Sequence, residues 1–352
     1  MTAPMTTNAF QNPQLRQRGR ASVDFLAQMA IASGPVRAEV DKAIAEKVAD
    51  PEALPENLDE RLAHMDAELA DVPGYTVQKL MGDWHGRMHG RLSAEAFEEV
   101  QGDLAEAFAA AEQGPATLTL NPDLDAPDYW DGVHFHRTTG GWEGHEHMGY
   151  IHGEIIHKKI VGRFFPGGIF KQRRTVAEMA PREDYKRILD MGCSSGHFTT
   201  ALAETYPDAQ ITGVDLSARM LEHAWRTANA NGWNWQLSQQ AAEATNFEDG
   251  AFDLVTSYII LHEMPAGAIK QLFAEAYRLL EPGGDMLMSD VTRYADMDKL
   301  GVWKADRGAA FGGEPHWRES ASLDLEAIAR EAGFTDVTTS GPYPYVIQGH
   351  KA

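Results

Sequence analysis

A glycine-rich turn between an apolar run and a helix constrains this chain more than any other feature. Residues 187–196 read R-I-L-D-M-G-C-S-S-G, so a short apolar run ends in Asp190 and leads into a turn that holds Gly192 and Gly196. Glycines in such a turn let the backbone approach a ligand where any Cβ would collide. The G-x-x-x-G spacing differs from the G-x-G-x-x-G of a NAD site, whose pyrophosphate lies on a helix N-terminus. The turn therefore predicts a binding site for a ligand other than a dinucleotide.

Three further apolar segments follow this turn in order. The first ends at Asp215, whose carboxylate is able to accept hydrogen bonds from two hydroxyl groups, and Ser217 then caps a helix. The second begins at Asp253, and the third is the sequence M-L-M-S-D of residues 286–290, which follows a helix and a P-G-G turn. From residue 186 onward, strand-like runs alternate with helical ones, which predicts an α/β fold with a doubly wound parallel sheet.

These four pieces, in this order and spacing, resemble the class I S-adenosylmethionine (SAM) dependent methyltransferase family over about residues 185–351. The resemblance implies a Rossmann-like, seven-stranded sheet that binds SAM and releases S-adenosylhomocysteine. SAM has no phosphate to bind but has a cationic amino-acid end, which suits an acid near the turn. The positions that match the family's cofactor site, from the methionine end through the ribose to the adenine, are Asp190, Gly192, Ser194, Gly196, Asp215, Leu216, Met220, Ala242, Glu243 and Ser257.

Two positions depart from the family pattern. Ser194 stands where the family often has a third glycine, a replacement that is tolerable if Ser194 keeps an ordinary φ angle. Ala241 stands where an acid usually binds the adenine amine. Glu243 or a backbone carbonyl is the expected replacement.

His262, in the segment L-H-E, is the candidate catalytic base. It follows the predicted fourth strand, at the carboxyl edge where ligands bind in such sheets. In small-molecule O-methyltransferases of the plant-like type, a histidine at this place takes the hydroxyl proton. If the acceptor is a thioether or a neutral amine, no base is needed and His262 is a substrate contact or a structural residue.

The region between residues 131 and 180 is rich in histidine and aromatic residues, and we interpret it as a connecting segment with a pocket helix over residues 146–161. Two H-x-H pairs suggest zinc, but thiolate partners are absent and the later histidines are poorly spaced for one helical face, so we predict no metal. Residues 291–320 form an insertion that closes over substrate in relatives. The residues expected to bind substrate are Trp142, Tyr150, His152, His157, Arg293 and Trp303.

The remaining chain divides into three predicted parts. Residues 1–17 are polar and read as a disordered lead-in. Residues 18–130 carry apolar positions at helical spacing and read as a mainly α-helical domain, whose expected role is to form a homodimer and a lid. Residues 181–352 read as the SAM-binding catalytic domain.

Composition narrows the functional class. The net charge of −21 disfavours nucleic acid and anionic membranes as partners. The single cysteine, Cys193, excludes an intrachain disulfide and favours a cytoplasmic location. The predicted function is methylation of a small molecule, most simply at oxygen with His262 as the base. The alternatives are S-methylation of a small thioether acid, such as methylthiohydroxybutyrate in dimethylsulfoniopropionate synthesis, and a SAM-binding regulator without catalytic activity.

Overall fold

The computed structural model describes residues 9–352 of the chain, so residues 1–8 of the predicted disordered lead-in lie outside the described residues. The rest of the lead-in differs from the prediction. Ala9–Gln11 form a 3-10 turn, and the ring of Phe10 is buried with centroids 5.6 Å from Phe108 and 5.5 Å from Tyr150. Burial of this one aromatic side chain fixes a segment whose polar composition indicated disorder.

The N-terminal half is mainly helical. Pro35 lies in the first turn of the second helix, where its missing N–H has no partner to lose, and the chain changes direction there. Asn57 caps the third helix by accepting hydrogen bonds from the backbone N–H groups of Asp59 and Glu60. The helices are α1 (Gln17–Ala32), α2 (Gly34–Lys47), α3 (Leu58–Glu68), α4 (Pro73–Glu98) and α5 (Gln101–Ala111).

The predicted pocket helix over residues 146–161 has a different geometry. A short helix, α6 (Met148–Tyr150), continues as a π-helix over Ile151–Ile160. Gly153 faces His223 on a later helix, and a Cβ at Gly153 would lie 2.9 Å from the Nε2 atom of that histidine. The wide turn therefore packs directly on the catalytic domain, and π-helical turns are often found at functional sites.

The C-terminal half is an α/β domain around one eight-stranded sheet of order β1-β4-β3-β2-β5-β6-β8-β7. Every neighbouring pair from β1 to β6 is parallel, and β8 runs antiparallel to both β6 and β7. The strands are β1 (Thr117–Thr119), β2 (Arg187–Met191), β3 (Gln210–Asp215), β4 (Gln236–Gln239), β5 (Phe252–Tyr258), β6 (Leu280–Asp290), β7 (Thr335–Ser340) and β8 (Tyr345–His350). The helices are α7 (Gly168–Ala177), α8 (His197–Thr205), α9 (Ala218–Ala230), α10 (Ala266–Leu279), α11 (Lys299–Gly312), α12 (Trp317–Ala321) and α13 (Leu325–Ala332).

The doubly wound sheet agrees with the prediction, but it has eight strands where seven were expected. The extra strand, β1, comes from the predicted helical domain and pairs with β4 at the sheet edge. A second contact with the catalytic domain comes from Ala116, the residue before β1, whose backbone N–H donates to Asn229 Oδ1 on α9 at 2.9 Å. A three-residue strand carries too little periodicity to be predicted from sequence.

Separate apolar clusters cover the two faces of the sheet, one around Leu272 and Phe273 of α10 and one around Phe198 and Leu202 of α8. A third cluster joins α1, α4 and α5 to the π-helix and to Met220 of α9. The helical half is thereby packed against the carboxyl edge of the sheet. Within residues 9–352, no helix combines the length and the apolarity needed to cross a membrane.

Candidate active site

A cavity of about 240 Å³ lies at the carboxyl edge of the sheet, and we call it the sheet-edge cavity. Its floor comes from the turn after β2, from the end of β3 and from the segments after β4 and β5. Its roof comes from residues 129–173, ahead of the sheet. The residues that line this cavity include Tyr129, His136, Trp142, His152, His157, Arg173, Gly192, Ser194, Asp215, Leu216, Met220, Ala242, Glu243, Ile260, His262 and Glu263.

The glycine-rich turn forms the base of this cavity. Gly192 has a φ angle of +72°, and a Cβ built on it would lie 2.2 Å from Ile260 Cδ1. Ser194 has a φ angle of +49°, so the condition of an ordinary φ angle at this position is not met. Its backbone N–H donates to Asp215 Oδ2 at 2.8 Å, and this hydrogen bond offsets the cost of the left-handed backbone.

Asp215 ends β3 with its carboxylate on the cavity wall. Its Oδ1 accepts a hydrogen bond from the Ser217 N–H at 2.9 Å, and its Oδ2 accepts the one from Ser194. Burial raises the pKa of Asp215 to about 6, although both backbone hydrogen bonds act to lower it. Each carboxylate oxygen keeps a lone pair for a ligand hydroxyl.

Glu243 provides a second carboxylate in the same wall. Its Oε1 accepts a hydrogen bond from the Tyr129 hydroxyl at 2.6 Å. Its Oε2 is buried and has no hydrogen-bond partner within the described chain. A buried oxygen without a partner is costly, so this atom is available to a ligand that donates a hydrogen bond.

His262 lies in a 3-10 turn after β5, and its side chain is buried. Its Nδ1 lies 3.1 Å from Asp290 Oδ1 at the end of β6, and its Nε2 lies 3.8 Å from Glu314 Oε2. Burial acts to lower the pKa of His262, but the carboxylates of Asp290, Glu314 and Glu263 outweigh it and raise the pKa to about 9. The side chain lines the cavity as an imidazole held by a carboxylate.

His136 connects two further acids above His262. Its Nδ1 lies 2.7 Å from Glu314 Oε1 and its Nε2 lies 3.3 Å from Glu263 Oε1. Burial opposes the charge, but Glu314 and Glu263 raise the pKa of His136 to about 10. The atoms of His136, Glu263 and Glu314 that are able to bind a metal ion lie within 4.8 Å of one another. A protonated imidazole that donates to both carboxylates already balances much of their charge.

Arg173, on α7, is a half-buried cation in the wall of the cavity. Its guanidinium stacks over the Tyr258 ring at 4.8 Å and donates from Nη1 to the Ile169 carbonyl. Its Nε is buried without a hydrogen-bond partner, and no carboxylate of residues 9–352 lies within 4.0 Å of the group. Burial lowers the pKa of Arg173 from its usual value.

The structure brings most of the sequence-predicted site residues together. Seven of the predicted cofactor positions line the sheet-edge cavity, and so do Trp142, His152, His157 and His262. Asp190, Gly196 and Ser257 lie behind that lining. Asp190 accepts a hydrogen bond from Thr199 Oγ1 at 2.7 Å, Gly196 begins α8 with a φ angle of +83°, and Ser257 is fully buried in β5.

Three predicted substrate contacts do not line this cavity. The Tyr150 hydroxyl donates to the Phe10 carbonyl inside the helical core. Arg293 is buried and donates to the carbonyls of Val291 and Ser320. Trp303 is 2% exposed and stacks on Tyr75 in the cluster formed by α2, α3 and α11. Each has a structural partner that the sequence pattern does not reveal.

Several cavity residues were not identified from the sequence. Tyr129 and Tyr343 lie in loops without periodic pattern, and Arg173 reads as one more charge on an amphipathic helix. His136 was considered only as part of an H-x-H pair. The sequence offered one hint of the charges around His136, namely Glu314, an acid inside the insertion that was expected to close over substrate.

Comparisons with known proteins agree with this geometry. The family described as "Methyltransferase domain" matches residues 188–284. Malonyl-[acyl-carrier protein] O-methyltransferase of Legionella pneumophila is 35% identical over 43% of this chain and 48% of its own length. Demethylmenaquinone methyltransferase of Symbiobacterium thermophilum is 30% identical over 42% of this chain and 68% of its own. The chain spans about half the length of several curated relatives that it matches.

Among solved structures, Haemonchus contortus phosphoethanolamine N-methyltransferase 2 in complex with S-adenosyl-L-methionine matches with 23% identity and a TM-score of 0.46. The match covers 62% of this chain and 47% of that one.

The cavity residues fit the cofactor of these relatives. The glycine at position 192 leaves room that a Cβ would fill, and Asp215 has free lone pairs for two ribose hydroxyls. The unpartnered Glu243 Oε2 is able to accept a hydrogen bond at the adenine edge, where Ala241 has no acid to offer. With its ordered motifs, its doubly wound sheet and these relatives, the chain belongs to the class I S-adenosyl-L-methionine-dependent methyltransferases.

Proposed function

We propose that this protein transfers a methyl group from SAM to a hydroxyl of a small molecule, with His262 as the general base. SAM supplies an electrophilic methyl group on a cationic sulfur. The protein's part is to align the acceptor, to exclude water and to remove the hydroxyl proton. The sheet-edge cavity is enclosed by residues 129–173 on one side and by the sheet on the other, which suits a small acceptor.

The observation that carries the proposal is the placement of His262. Asp290 lies at Nδ1, which favours the tautomer with its proton on that nitrogen and leaves Nε2 to accept a proton from the acceptor. Asp290 is itself held by the backbone N–H groups of Leu261 and Val291 at 2.7 Å. An oriented imidazole with a carboxylate behind it is the arrangement used by general bases in other enzymes.

The pKa of His262 also supports a phenol-like acceptor. A proton moves most readily between groups of similar pKa, and a phenol has a pKa of about 10. The value of about 9 for His262 is close to that of such an acceptor. An aliphatic alcohol is far less acidic and fits this base less well.

The test measures S-adenosylhomocysteine formed from SAM with a panel of phenols, alcohols, amines and thioethers. Wild-type protein should act on a phenol, and His262→Ala should slow that reaction by about 10²–10⁴-fold, the usual contribution of a general base. His64→Ala, an exposed position on α3, is the matched control and should leave the rate unchanged. Equal rates for His262→Ala and wild type would reject the base role.

A second candidate, S-methylation of a small thioether acid, is favoured by Arg173. A half-buried guanidinium with a buried, unpartnered Nε and no carboxylate partner within residues 9–352 is a binding group for an anion, and an acidic acceptor would supply one. The carboxylate of SAM is the other available anion. Arg173→Gln separates the two, because it should raise the KM of a thioether acid in one case and the Kd of SAM in the other.

The remaining alternative is a SAM-binding regulator without catalysis. Calorimetry on a protein of that kind would show binding of SAM and S-adenosylhomocysteine, but the protein would methylate no acceptor in the panel. The base-like placement of His262 beside the cofactor residues favours an enzyme.

We also propose a homodimer formed through the N-terminal helices. Among the described residues, eight large apolar side chains are exposed, and five of them lie on α1 and α4, namely Phe25, Ile31, Val77, Leu80 and Trp84. Burying them against a second copy would be favourable. Leu80→Glu should then give monomers in sedimentation experiments, whereas Leu120→Glu, on a distant loop, should not.

A further inference from the structure

A second cavity of about 440 Å³ lies between the helical half and α11, and we call it the helix-lined chamber. Its walls come from α1, α4, the π-helix and α11. The chamber adjoins the sheet-edge cavity, since five residues line both spaces: His136, Trp142, His152, His157 and Val161. A molecule bound beside His262 therefore has a second space next to it.

Glycines of α4 and α11 lie in the chamber wall. A Cβ on Gly86 of α4 would lie 2.4 Å from the Phe311 carbonyl oxygen, so glycine permits α4 and α11 to approach closely. Gly308, one turn earlier on α11, lines the chamber at an exposed position, and a Cβ built there meets nothing within 4 Å. A larger side chain at Gly308 therefore has room, and we expect it to occupy part of the chamber.

The chamber wall is mainly apolar, although Arg37 and His136 also line it. Met29, Met81, Ile156 and Phe311 contribute hydrocarbon and thioether surface. Five histidines line the chamber. The pKa of His136 is raised by its two carboxylate neighbours, but burial lowers the pKa of the other four: His89 to about 4, His85 below its usual value, and His152 and His157 well below theirs. Uncharged imidazoles of this kind contact apolar ligands without a large desolvation cost.

Two of these histidines have nitrogen atoms without partners. His85 Nε2 and His152 Nδ1 are buried and make no hydrogen bond with residues 9–352. His152 is 8% exposed and lies in the wall shared by both cavities. A ligand that passes this point is able to hydrogen-bond to an otherwise unsatisfied group.

The sheet-edge cavity carries more charge. Its lining includes the half-buried side chains of Arg173, Asp215 and Glu263, the raised-pKa imidazole of His262 and, in the wall shared with the chamber, His136. The two spaces thus differ in polarity on either side of Trp142, whose ring lies 4.7 Å from that of His152 and whose indole Nε1 donates to Glu263.

We propose that the helix-lined chamber binds the apolar part of the methyl acceptor, so that the acceptor is an elongated molecule with its reacting group beside His262 and an uncharged alkyl or aryl portion between α4 and α11. The reacting end rests on the function proposed above. The apolar end rests on the volume, the polarity and the position of the chamber.

The test uses 4-n-alkylphenols from 4-methylphenol to 4-heptylphenol as probes, with S-adenosylhomocysteine present. Calorimetry should show the Kd falling about fourfold for each added methylene until the chamber is filled, which is the gain expected for burying a CH₂ group. Gly308→Leu should remove most of this gain. Leucine favours a helix more than glycine does, so this variant should fold.

Gly102→Leu, on α5, is the matched control, because a Cβ at Gly102 also meets nothing within 4 Å and Gly102 lies outside the chamber. It should keep the wild-type dependence on chain length. Met81→Trp fills the chamber from α4 and should reproduce the effect of Gly308→Leu. The Kd of S-adenosylhomocysteine should stay the same in all three variants.

The outcomes separate the two proposals. If the Kd falls with chain length and Gly308→Leu abolishes the trend, but no phenol is methylated, the chamber proposal holds and the proposed function fails. A Kd that does not change with chain length, or changes equally in Gly308→Leu and wild type, would overturn the chamber proposal whether or not methyl transfer is seen.

Discussion

His262 Nδ1 and Asp290 Oδ1 lie 3.1 Å apart, in a setting where both side chains are almost completely buried. Asp290 is the last residue of β6 and His262 follows β5, so the pairing of two neighbouring parallel strands sets this distance. Burial of the pair removes competing water, and the carboxylate keeps the imidazole in one orientation. This pair is the basis of the first prediction.

The rate of phenol methylation should rise with pH up to about 9. The pKa of His262 is raised to about 9, so the imidazole is protonated at neutral pH and only its neutral form accepts a proton. The pH profile of kcat at saturating SAM measures this directly. A profile that is flat between pH 7 and pH 9.5 would show that no group of this pKa limits the reaction.

Asp290→Asn tests the same pair by removing the charge of the carboxylate that contacts His262. Loss of the carboxylate removes the largest favourable interaction of the imidazolium, so the rising limb of the profile should move to lower pH. The maximal rate should fall, because the amide no longer fixes the imidazole tautomer. Asp296→Asn, on a neighbouring surface turn, is the control and should keep the wild-type profile.

Asp215→Ala should weaken SAM binding by about 1–3 kcal/mol, the usual loss when hydrogen bonds to a charged group are removed. The two ribose hydroxyls are the groups expected to lose their acceptor. Calorimetry on the purified protein gives the Kd. Asp208→Ala, at an exposed position before β3, is the matched control, and equal affinities for the two variants would refute the assignment of Asp215.

SAM affinity should also depend on pH through the same carboxylate. Burial raises the pKa of Asp215 to about 6, and the ionised form is the better acceptor for two hydroxyls. Affinity should therefore be complete above pH 6 and should decrease as the pH falls through that value. The Kd measured from pH 5 to pH 8 checks this, and the dependence should be absent in Asp215→Asn.

Gly192→Ala and Gly232→Ala form a matched pair. Both glycines have a φ angle of +72°, so alanine should destabilise either site by about 1–2 kcal/mol. Only at Gly192 does the new Cβ meet a neighbour, Ile260 Cδ1 at 2.2 Å, and Ile260 must then move into the cavity. Thermal unfolding should show similar losses for both variants, whereas only Gly192→Ala should lose SAM affinity.

Trp303→Ala should reduce the free energy of unfolding by about 3–5 kcal/mol, because the ring is 2% exposed and stacks on Tyr75. Trp84→Ala, at a position 38% exposed on α4, should cost much less. Urea unfolding measures both. A stable Trp303→Ala variant with a raised acceptor KM would restore the substrate role that the structure removes from this residue.

The cofactor half of the site was predictable because its signal is local. The strand, the turn with Gly192 and the helix that follows are consecutive in sequence, and parallel strands bring their carboxyl ends to one edge. Asp215 and His262 could be placed for the same reason, since Asp215 ends β3 and His262 lies in the short turn that follows β5. The doubly wound sheet follows from the alternation of strand-like and helical runs.

The acceptor half depends on contacts between distant segments, which periodicity does not encode. Glu314 meets His136 across 178 positions of sequence, and Tyr129 reaches Glu243 across 114. The same argument applies to Arg293 and Trp303, because only packing shows that these side chains lie outside the cavity lining and contact structural partners.

The order of residues along the chain was enough to predict the cofactor edge and the position of His262, because short-range backbone geometry creates both. The charges around that imidazole and the space beyond it could be identified only in the folded chain. Those properties arise where the helical half packs against the sheet, and the free energy of that packing is spread over many long-range contacts.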